Sequence, residues 1–315
     1  MSMSLETARY AYKAYGLRIS SELELPELVA DDFPEGDADV VFELADLTDT
    51  ISQFELNNYY FYYKDDYVLL VIEGIASYVM QAGHTIKIMP DPAADPRDYR
   101  IYLLGACAAV LMFQRKIVPL HCSTVVIDGL AYSFMGECGA GKSTLSTALV
   151  RAGCTLISDD ITAITIPQGG NGPIAHPSFP RQKLWKQSMD FFRMNTSDYS
   201  QIMTNYDKYE IGASEHFHKS AVPLGGIFEL AADDIAEVSL KPLSHLEGIH
   251  LFQKHTYSNS FVVSLGLKQW HFSIAAQMAH ALPFYQLRRP KEGFSAPQLV
   301  ERIFDTVKKG ESVQI

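Results

Sequence analysis

The chain has 315 residues, of which 47% are hydrophobic and 20% are charged, a composition typical of a folded protein with one large or two ordinary domains. Its formal net charge of −11 argues against nucleic-acid binding, which needs clustered positive charge. The longest apolar run, at 101–113, is shorter than the ~17–25 residues that span a bilayer, and the N-terminus has no signal-peptide pattern. Four cysteines without C-x-x-C spacing suit a reducing compartment. We therefore expect a cytoplasmic protein with no nucleic-acid or membrane partner.

Residues 1–96 are predicted to form a small, β-rich N-terminal domain. Runs of β-branched and aromatic residues at 10–12, 17–19, 40–44, 59–63, 67–72 and 85–89 are separated by polar turns, which is the pattern of short strands. Three prolines between positions 90 and 96 resist regular structure and predict a linker. We therefore place the domain boundary after residue 96, with a second domain over 97–315.

The second domain is predicted to begin with a helix at 97–114, followed by a short apolar segment and His121. A lone histidine usually has a structural role. His121, however, stands at the mouth of a strand that is expected to pair with the strand at 130–135, where a chemically active motif begins. This position favours a role for His121 in the site.

That motif is Gly-Glu-Cys-Gly-Ala-Gly-Lys-Ser at 136–143, which fits the spacing G-x-x-x-x-G-K-[ST] of a phosphate-binding loop. A buried strand at 130–135 precedes it and a helix from residue 142 follows it, which is the context that the motif requires. Glycines let successive backbone N–H groups converge on a phosphate, and the helix N-terminus adds its dipole. The residues predicted to hold ATP are Gly136, Glu137, Cys138, Gly139, Ala140, Gly141, Lys142, Ser143 and Thr144.

A pair of carboxylates follows the helix. Gly153 is placed as a helix stop, and a short strand at 154–157 leads to Asp159 and Asp160. A right-handed crossover is expected to lay this strand parallel and adjacent to the strand at 130–135, so that the loop and the Asp pair open at the same sheet edge. Adjacent carboxylates beside a triphosphate can hold Mg²⁺ and take a proton from an attacking hydroxyl.

The order of these features resembles the HPr kinase/phosphorylase family, because the Asp pair comes only sixteen residues after Ser143. Segments at 15–28, 222–230, 255–257 and 287–290 are closer still to the HPr-kinase-like serine kinases, some of which phosphorylate lasso-peptide precursors. The resemblance implies an α/β fold with a P-loop kinase domain in the C-terminal part, the use of ATP and Mg²⁺, and a histidine at the position of His121 near the Asp pair. The family's further metal-binding glutamate has no clear counterpart here, which argues against HPr as the substrate.

These observations predict a division of roles. Lys142 contacts the β- and γ-phosphates, while Ser143 and Asp160 are the metal ligands. Asp159 accepts the proton of the acceptor hydroxyl, and Asp160 assists the geometry of the metal and of this base. The resemblance adds that His121 orients the acceptor site or balances its charge.

The rest of the domain adds candidates for substrate contact. The resemblance makes Arg181 and Lys183 candidates to neutralise phosphate charge, with two surface cations as an equally weighted alternative. A polar stretch at 190–219 is interpreted as a mobile flap over the acceptor site, in which Lys208 is a further candidate. Further strands are predicted at 161–166, 225–230 and 285–288, and helices at 243–251, 273–282 and 297–309.

We therefore predict an ATP-dependent serine kinase that acts on a peptide or small protein, favouring the C-terminal serine of a lasso-peptide precursor as the acceptor. The alternatives are HPr(Ser) kinase/phosphorylase activity, a small-molecule hydroxyl kinase, and a regulatory module that binds nucleotide and transfers nothing. A homo-oligomer is compatible with the resemblance.

Overall fold

A computed structural model describes residues 9–56, 60–64, 67–167, 169–170, 172–202 and 207–311. The chain divides into two compact units. The first comprises Met1–Pro119 with Ser260–Leu267, and the second comprises Leu120–Asn259 with Lys268–Ile315. The helical segment at 97–114, which the sequence assigns to the second domain, thus belongs to the first unit.

The strands of the described residues are β1 (Tyr10–Ala14), β2 (Leu17–Ser21), β3 (Val29–Ala30), β4 (Val40–Leu44), β5 (Phe61–Tyr63), β6 (Tyr67–Ile72), β7 (Ala76–Gln81), β8 (Thr85–Pro90), β9 (Val118–Ile127), β10 (Leu130–Met135), β11 (Thr155–Ser158), β12 (Ile161–Thr165), β13 (Ile174–His176), β14 (Arg181–Trp185), β15 (Ser200–Gln201), β16 (Lys208–Gly212), β17 (Val222–Asp233), β18 (Ser239–Pro242) and β19 (Phe284–Pro290).

The α-helices are α1 (Thr48–Ile51), α2 (Pro96–Tyr102), α3 (Ala108–Gln114), α4 (Lys142–Arg151), α5 (Lys186–Phe191), α6 (His245–Lys254), α7 (Ser260–Ser264), α8 (Lys268–Ala281) and α9 (Ala296–Glu311). One π-helical turn, Leu103–Cys107, joins α2 to α3, so the predicted helix at 97–114 is a single helical segment with an irregular middle. Within the described residues no helix is long and apolar enough to cross a membrane.

The first unit is built on one eight-stranded sheet in the order β3-β1-β2-β4-β8-β7-β6-β5. The predicted strands at 10–12, 17–19, 40–44, 67–72 and 85–89 are confirmed. In the predicted strand at 59–63, Tyr59 lies outside the described residues, Tyr60 is a bend, and β5 covers Phe61–Tyr63. Strand β7 was not predicted, although its five buried residues pack in the middle of the sheet. The predicted linker is the turn between β8 and α2, where Pro96 begins the helix.

The second unit has a sheet in which β10, β17 and β19 run parallel and β9 pairs with β10 as an antiparallel hairpin. The predicted adjacency of the two strands that carry the loop and the Asp pair is wrong. Strand β11 pairs with β9 and not with β10, because the hairpin strand β9 already occupies that side of β10. Since β10 and β11 are both antiparallel to β9, they still point the same way, and their carboxyl ends share one sheet edge.

Helix α4 is fixed against this sheet by its apolar face. Leu145 and Leu149 are at most 1% exposed, and they belong to a buried cluster with Phe134 and Phe228 of the sheet. The cluster also takes in Leu299, Ile303 and Val307, which recur every four residues along one face of α9. The predicted helix at 297–309 is therefore present, and its apolar stripe holds α4 and the loop before it in place.

Part of the predicted flap at 190–219 is regular structure. Strand β16 lies between β14 and β15 in a separate three-stranded sheet, and Lys183 of β14 is opposite Glu210 of β16. The flap prediction is thus incomplete, because the polar composition of this stretch hid the pairing of β16 with a strand far away in sequence. Residues 203–206 lie outside the described part of the chain.

Candidate active site

The glycine-rich loop turns directly from β10 into α4. Gly136 comes close to the neighbouring strand: a Cβ atom there would lie 2.4 Å from the carbonyl oxygen of Leu230. Gly141 has a φ of 104°, in the left-handed region that favours glycine, and α4 begins at the next residue. Within the loop, the N–H of Ala140 donates to the carbonyl of Glu137 at 3.1 Å. The sequence motif therefore forms a tight turn whose glycines are required by close approach and by backbone conformation.

Lys142, the first residue of α4, lies folded across this loop. Its Nζ donates to the carbonyl oxygens of Gly136 at 2.8 Å and of Glu137 at 3.2 Å, and the residue is only 9% exposed. Burial lowers the pKa of Lys142, and the negative charge of Asp160 opposes this shift. The ammonium is thus held inside the loop and within electrostatic range of the Asp pair.

Asp159 is buried and both of its carboxylate oxygens accept hydrogen bonds. Ser123 donates its hydroxyl to one oxygen at 2.5 Å, and the backbone N–H of Lys183 donates to the other at 2.9 Å. Burial raises the pKa of Asp159, while these two donors and the hydroxyl of Ser143 lower it, leaving the pKa above its ordinary value. The carboxylate thus lies close to the hydroxyl of Ser143 at the start of α4.

Asp160 has a different environment. Its φ is 82°, a left-handed conformation that Asp adopts more readily than most residues. One carboxylate oxygen lies 2.8 Å from Nζ of Lys183 and the other lies 3.7 Å from Nε2 of His121, and the side chain is 34% exposed in the cleft. Burial opposes ionisation, but the charge of Lys183 and its hydrogen bond outweigh it and hold the pKa of Asp160 below its ordinary value.

His121 lies within β9 and not before it, and its backbone N–H donates to the carbonyl of His255 at 2.9 Å. Burial lowers the pKa of His121, with the charge of Lys142 acting in the same direction and that of Asp160 against it. The imidazole is therefore neutral at physiological pH and can either donate or accept a hydrogen bond beside Asp160.

Further cations surround the loop and the Asp pair. Arg289 donates from Nε to the carbonyl of Ala140 at 2.9 Å, so β19 brings a guanidinium against the loop. Lys208 lies with its Nζ 5.7 Å from the ring centre of Trp185. Arg181, in contrast, forms an ion pair with Glu210 across the β14–β16 pair, 3.3 Å between Nε and Oε1.

A polar network lies beside the loop on the parallel strands. Glu229 is opposite Met135, the last residue of β10, and accepts a hydrogen bond from the amide of Gln286 at 2.8 Å. Its other oxygen lies 3.7 Å from Nε2 of the buried His255. His255 and Gln286 hold the pKa of Glu229 down to about 2, so the carboxylate is ionised at neutral pH.

A cleft of about 500 Å³ brings most of these residues together. One end is polar and charged, with His121, Ser123, Asp160, Lys183 and Lys208 in its wall. The loop and the first turn of α4 also line the cleft, and α5, α9 and the segment before α9 contribute both apolar and polar side chains. The apolar ones are Phe191, Phe294, Ala296 and Leu299.

The predicted site residues occupy different positions around this cleft. His121, Cys138, Gly139, Gly141, Lys142, Ser143, Thr144 and Asp160 line it. Asp159 is buried behind the wall, Glu137 is exposed and paired with Lys254 at 2.7 Å, and Arg181 is paired on the three-stranded sheet. Gly136 and Ala140 contribute backbone to the loop, and their carbonyls bind Lys142 and Arg289.

Two contributors, Ser123 and Arg289, were not identified from the sequence, and a third, Lys183, was given a different role. Ser123 is one of several polar residues in the otherwise apolar buried strand β9, and this pattern was the available signal. Lys183 was considered only as a phosphate ligand, whereas it pairs with Asp160. Arg289 lies more than 140 residues from the loop that it contacts, and no local pattern predicts that contact.

The oxygen ligands available suit Mg²⁺. Ser143, Asp159 and Asp160 offer a hydroxyl and two carboxylates, and Mg²⁺ in nucleotide sites commonly takes one or two carboxylates together with substrate phosphates. In the described part of the chain, no group of three or more His, Cys, Asp and Glu residues could hold a metal ion by itself. The residues present therefore fit a metal that is bound jointly with a phosphate ligand.

The chain was compared with family models, curated proteins and solved structures. No family model and no curated protein matches the chain. Among solved structures, the HPr(Ser) kinase/phosphatase from Coxiella burnetii aligns over 62% of this chain and 97% of that protein, with 15% sequence identity and a TM-score of 0.31. A likeness at this level says nothing about the reaction.

Proposed function

We propose that this chain is an ATP-dependent kinase that transfers the γ-phosphoryl group to a serine hydroxyl of a peptide or small protein. The observation that carries the proposal is the juxtaposition in one cleft of a glycine loop with its lysine and a carboxylate pair flanked by cations. Phosphoryl transfer depends mainly on positioning and on charge stabilisation, and these groups supply both.

The loop and its cations bind the phosphates. Backbone N–H groups of the loop and the N-terminus of α4 favour an anion at this position. Lys142 exchanges its bonds to the loop carbonyls for bonds to phosphate oxygens, and Arg289 adds a second positive charge at the same loop. Mg²⁺, when bound, neutralises further phosphate charge, and Ser143 with Asp159 is the pair we assign to hold it.

The environment of the two carboxylates supports exchanging the roles predicted from the sequence. Asp159 is 5% exposed with both oxygens engaged, whereas Asp160 lines the cleft beside His121. We therefore assign proton acceptance to Asp160. The serine oxygen forms a bond to the γ-phosphorus, the bond between that phosphorus and the bridging oxygen of ADP breaks, and the serine proton moves to a carboxylate oxygen of Asp160.

The acceptor we favour is a serine at the C-terminus of a precursor peptide, as in the lasso-peptide kinases that the sequence resembles. Lys183 and Lys208 line the same end of the cleft as Asp160. An acceptor with a carboxylate next to its hydroxyl would find positive charge there, which supports this choice over a neutral hydroxyl compound.

The direct test is intact-mass spectrometry after incubation of the protein with Mg-ATP and four acceptors. These are a lasso-type precursor ending in serine, its Ser→Ala variant, HPr, and free serine. We expect one added phosphoryl group on the precursor and none on the Ala variant. Transfer to HPr or to free serine alone would replace the proposed acceptor, and nucleotide binding without transfer to any member would contradict the peptide kinase proposal.

Two matched variants test the roles of the carboxylates. Asn tolerates the left-handed conformation of residue 160, so Asp160→Asn removes the charge without straining the backbone. This variant should lower transfer by about 10²- to 10⁴-fold at every Mg²⁺ concentration, the usual contribution of a positioned base. Asp159→Asn should instead raise the Mg²⁺ concentration needed for half-maximal transfer. The opposite pattern would restore the roles predicted from the sequence.

A further inference from the structure

Two stacked phenylalanine rings line the cleft together with the glycine loop. The ring centres of Phe191 and Phe294 are 4.2 Å apart and their planes differ by 14°. Phe192 supports the pair from the side, with its ring 84° to that of Phe294 and 5.7 Å away. Phe191 is nevertheless 47% exposed and lines the cleft. We call Phe191 and Phe294 the aromatic shelf.

The shelf is tied to the phosphate loop by a short polar contact. The hydroxyls of Thr144, in the first turn of α4, and Ser188, in α5, are 2.7 Å apart. Phe191 follows Ser188 by three residues on α5, so the two side chains lie on one face about 5–6 Å apart at Cβ. Thr144 directly follows Lys142 and Ser143 of the loop. Phe191 therefore lies one turn of α5 away from a residue that contacts the start of α4.

The direction of a bound triphosphate is set by the charged end of the cleft. The lysine of such a loop, here Lys142, contacts the β- and γ-phosphates of a nucleotide. Asp160 lies at the charged end of the cleft. The γ-phosphate must point toward Asp160 if transfer is to occur there. The nucleoside then leaves the loop on the other side, toward α5 and α9.

Building on the nucleotide site of the proposed function, we propose that the aromatic shelf holds the base of the nucleoside triphosphate by stacking. Every nucleobase has a π-face, and an exposed aromatic ring in the wall of a polar cleft is the surface on which such a face packs. Stacking of a base would account for the exposure of Phe191, a large apolar side chain that is 47% exposed in the cleft wall.

Trp185 is the other exposed aromatic residue in the cleft wall, at 39% exposure. It lies two residues from Lys183 on β14, so both side chains are on the same face of the strand, at the charged end. The ammonium of Lys208 already lies over its ring. Its position thus fits the acceptor side of the cleft, which leaves the aromatic shelf for the base.

The test compares a ligand with a base and a ligand without one. Binding of Mg-ATP and of Mg-tripolyphosphate is measured by calorimetry for the wild-type protein, Phe191→Ala, Phe191→Tyr and Phe272→Ala. Phe272 is 56% exposed on α8 and does not line the cleft, so it is the matched control. Stacking of one base predicts that Phe191→Ala weakens ATP binding by about 5- to 150-fold and leaves tripolyphosphate binding unchanged.

Phe191→Tyr and Phe272→Ala should both keep the affinity of the wild-type protein for ATP. Equal weakening of ATP and tripolyphosphate by Phe191→Ala, or no weakening at all, would overturn the shelf while leaving the phosphate loop intact. Failure of the wild-type protein to bind either ligand would overturn the nucleotide site itself. Failure to phosphorylate any acceptor, with ATP bound on the shelf, would count only against the kinase proposal.

Discussion

Replacing Ser123 by Ala should lower the free energy of unfolding of the second unit by an amount that depends on pH. The hydroxyl of Ser123 is buried and donates to Asp159 at 2.5 Å, and the substitution removes this donor with almost no change in volume. A hydrogen bond to a charged group contributes about 1.5–3 kcal/mol, whereas one between neutral groups contributes about 0.5–1.5 kcal/mol. The free energy of unfolding should fall by the larger amount where Asp159 is ionised.

The sign of the pH dependence follows from the raised pKa of Asp159. A carboxyl group whose pKa is higher in the folded state destabilises the fold as the pH rises from the unfolded to the folded pKa. Loss of the Ser123 donor raises the folded pKa of Asp159 further, so the pH range over which ionisation of Asp159 destabilises the fold becomes wider. The destabilisation by Ser123→Ala should therefore grow as the pH rises above the ordinary carboxyl pKa of about 4.

The assay is urea unfolding in the presence of EDTA, followed by tryptophan fluorescence. Both tryptophans, Trp185 and Trp270, lie in the second unit, so the signal reports that unit. Ser133→Ala is the matched control, because its buried hydroxyl bonds to the neutral hydroxyl of Thr124 at 2.8 Å. Its cost should be small and independent of pH. A cost of Ser123→Ala that is equally flat with pH would refute the argument.

Two further predictions concern the loop and its neighbours. Gly136→Ala should lower the free energy of unfolding by about 2–6 kcal/mol, because backbone strain and overpacking against the Leu230 carbonyl both contribute. Gly139→Ala, whose new Cβ meets nothing within 4 Å, should lower it by only about 1–2 kcal/mol. Equal costs in urea unfolding would show that the loop relaxes. Glu229→Gln should lower the free energy of unfolding by on the order of 1 kcal/mol near neutral pH. This loss should shrink as the pH falls from about 5 to about 3, because the folded pKa of Glu229 is near 2 and its ionised form stabilises the fold fully only above the unfolded pKa. Unfolding curves at both pH values that show the same cost would contradict this.

Local patterns identified the loop and its helix because every part of that signal is contiguous. Gly136 to Ser143 and the apolar face of α4 lie within one short segment, and the structure has the predicted strand, turn and helix in order. The predicted neighbour of β10 was wrong for a related reason. The crossover rule describes two parallel strands, and here the hairpin strand β9 competes for the same edge.

The charged surroundings of the Asp pair depend on contacts between distant parts of the chain. Lys183 reaches Asp160 because the N–H of the same residue is bonded to Asp159, which sets the position of β14. Arg181 was the more obvious phosphate ligand by residue type, yet the strand register puts it opposite Gly212 and near Glu210. Arg181 and Lys183 are two residues apart and share a face of β14, so their places along the strand decide which of them reaches Asp160, and these places cannot be assigned before the pairing is known.

The folding of Lys142 onto its own loop changes what a phosphate ligand has to do. A lysine side chain loses up to about 2 kcal/mol of rotamer entropy when it is ordered, and here its bonds to the carbonyls of Gly136 and Glu137 impose that order in the free protein. An arriving phosphate therefore exchanges partners with an ammonium that is already in position. Part of the entropic cost of binding is thus met when the protein folds. The ligand only has to replace the two loop carbonyls as the hydrogen-bond partners of the ammonium.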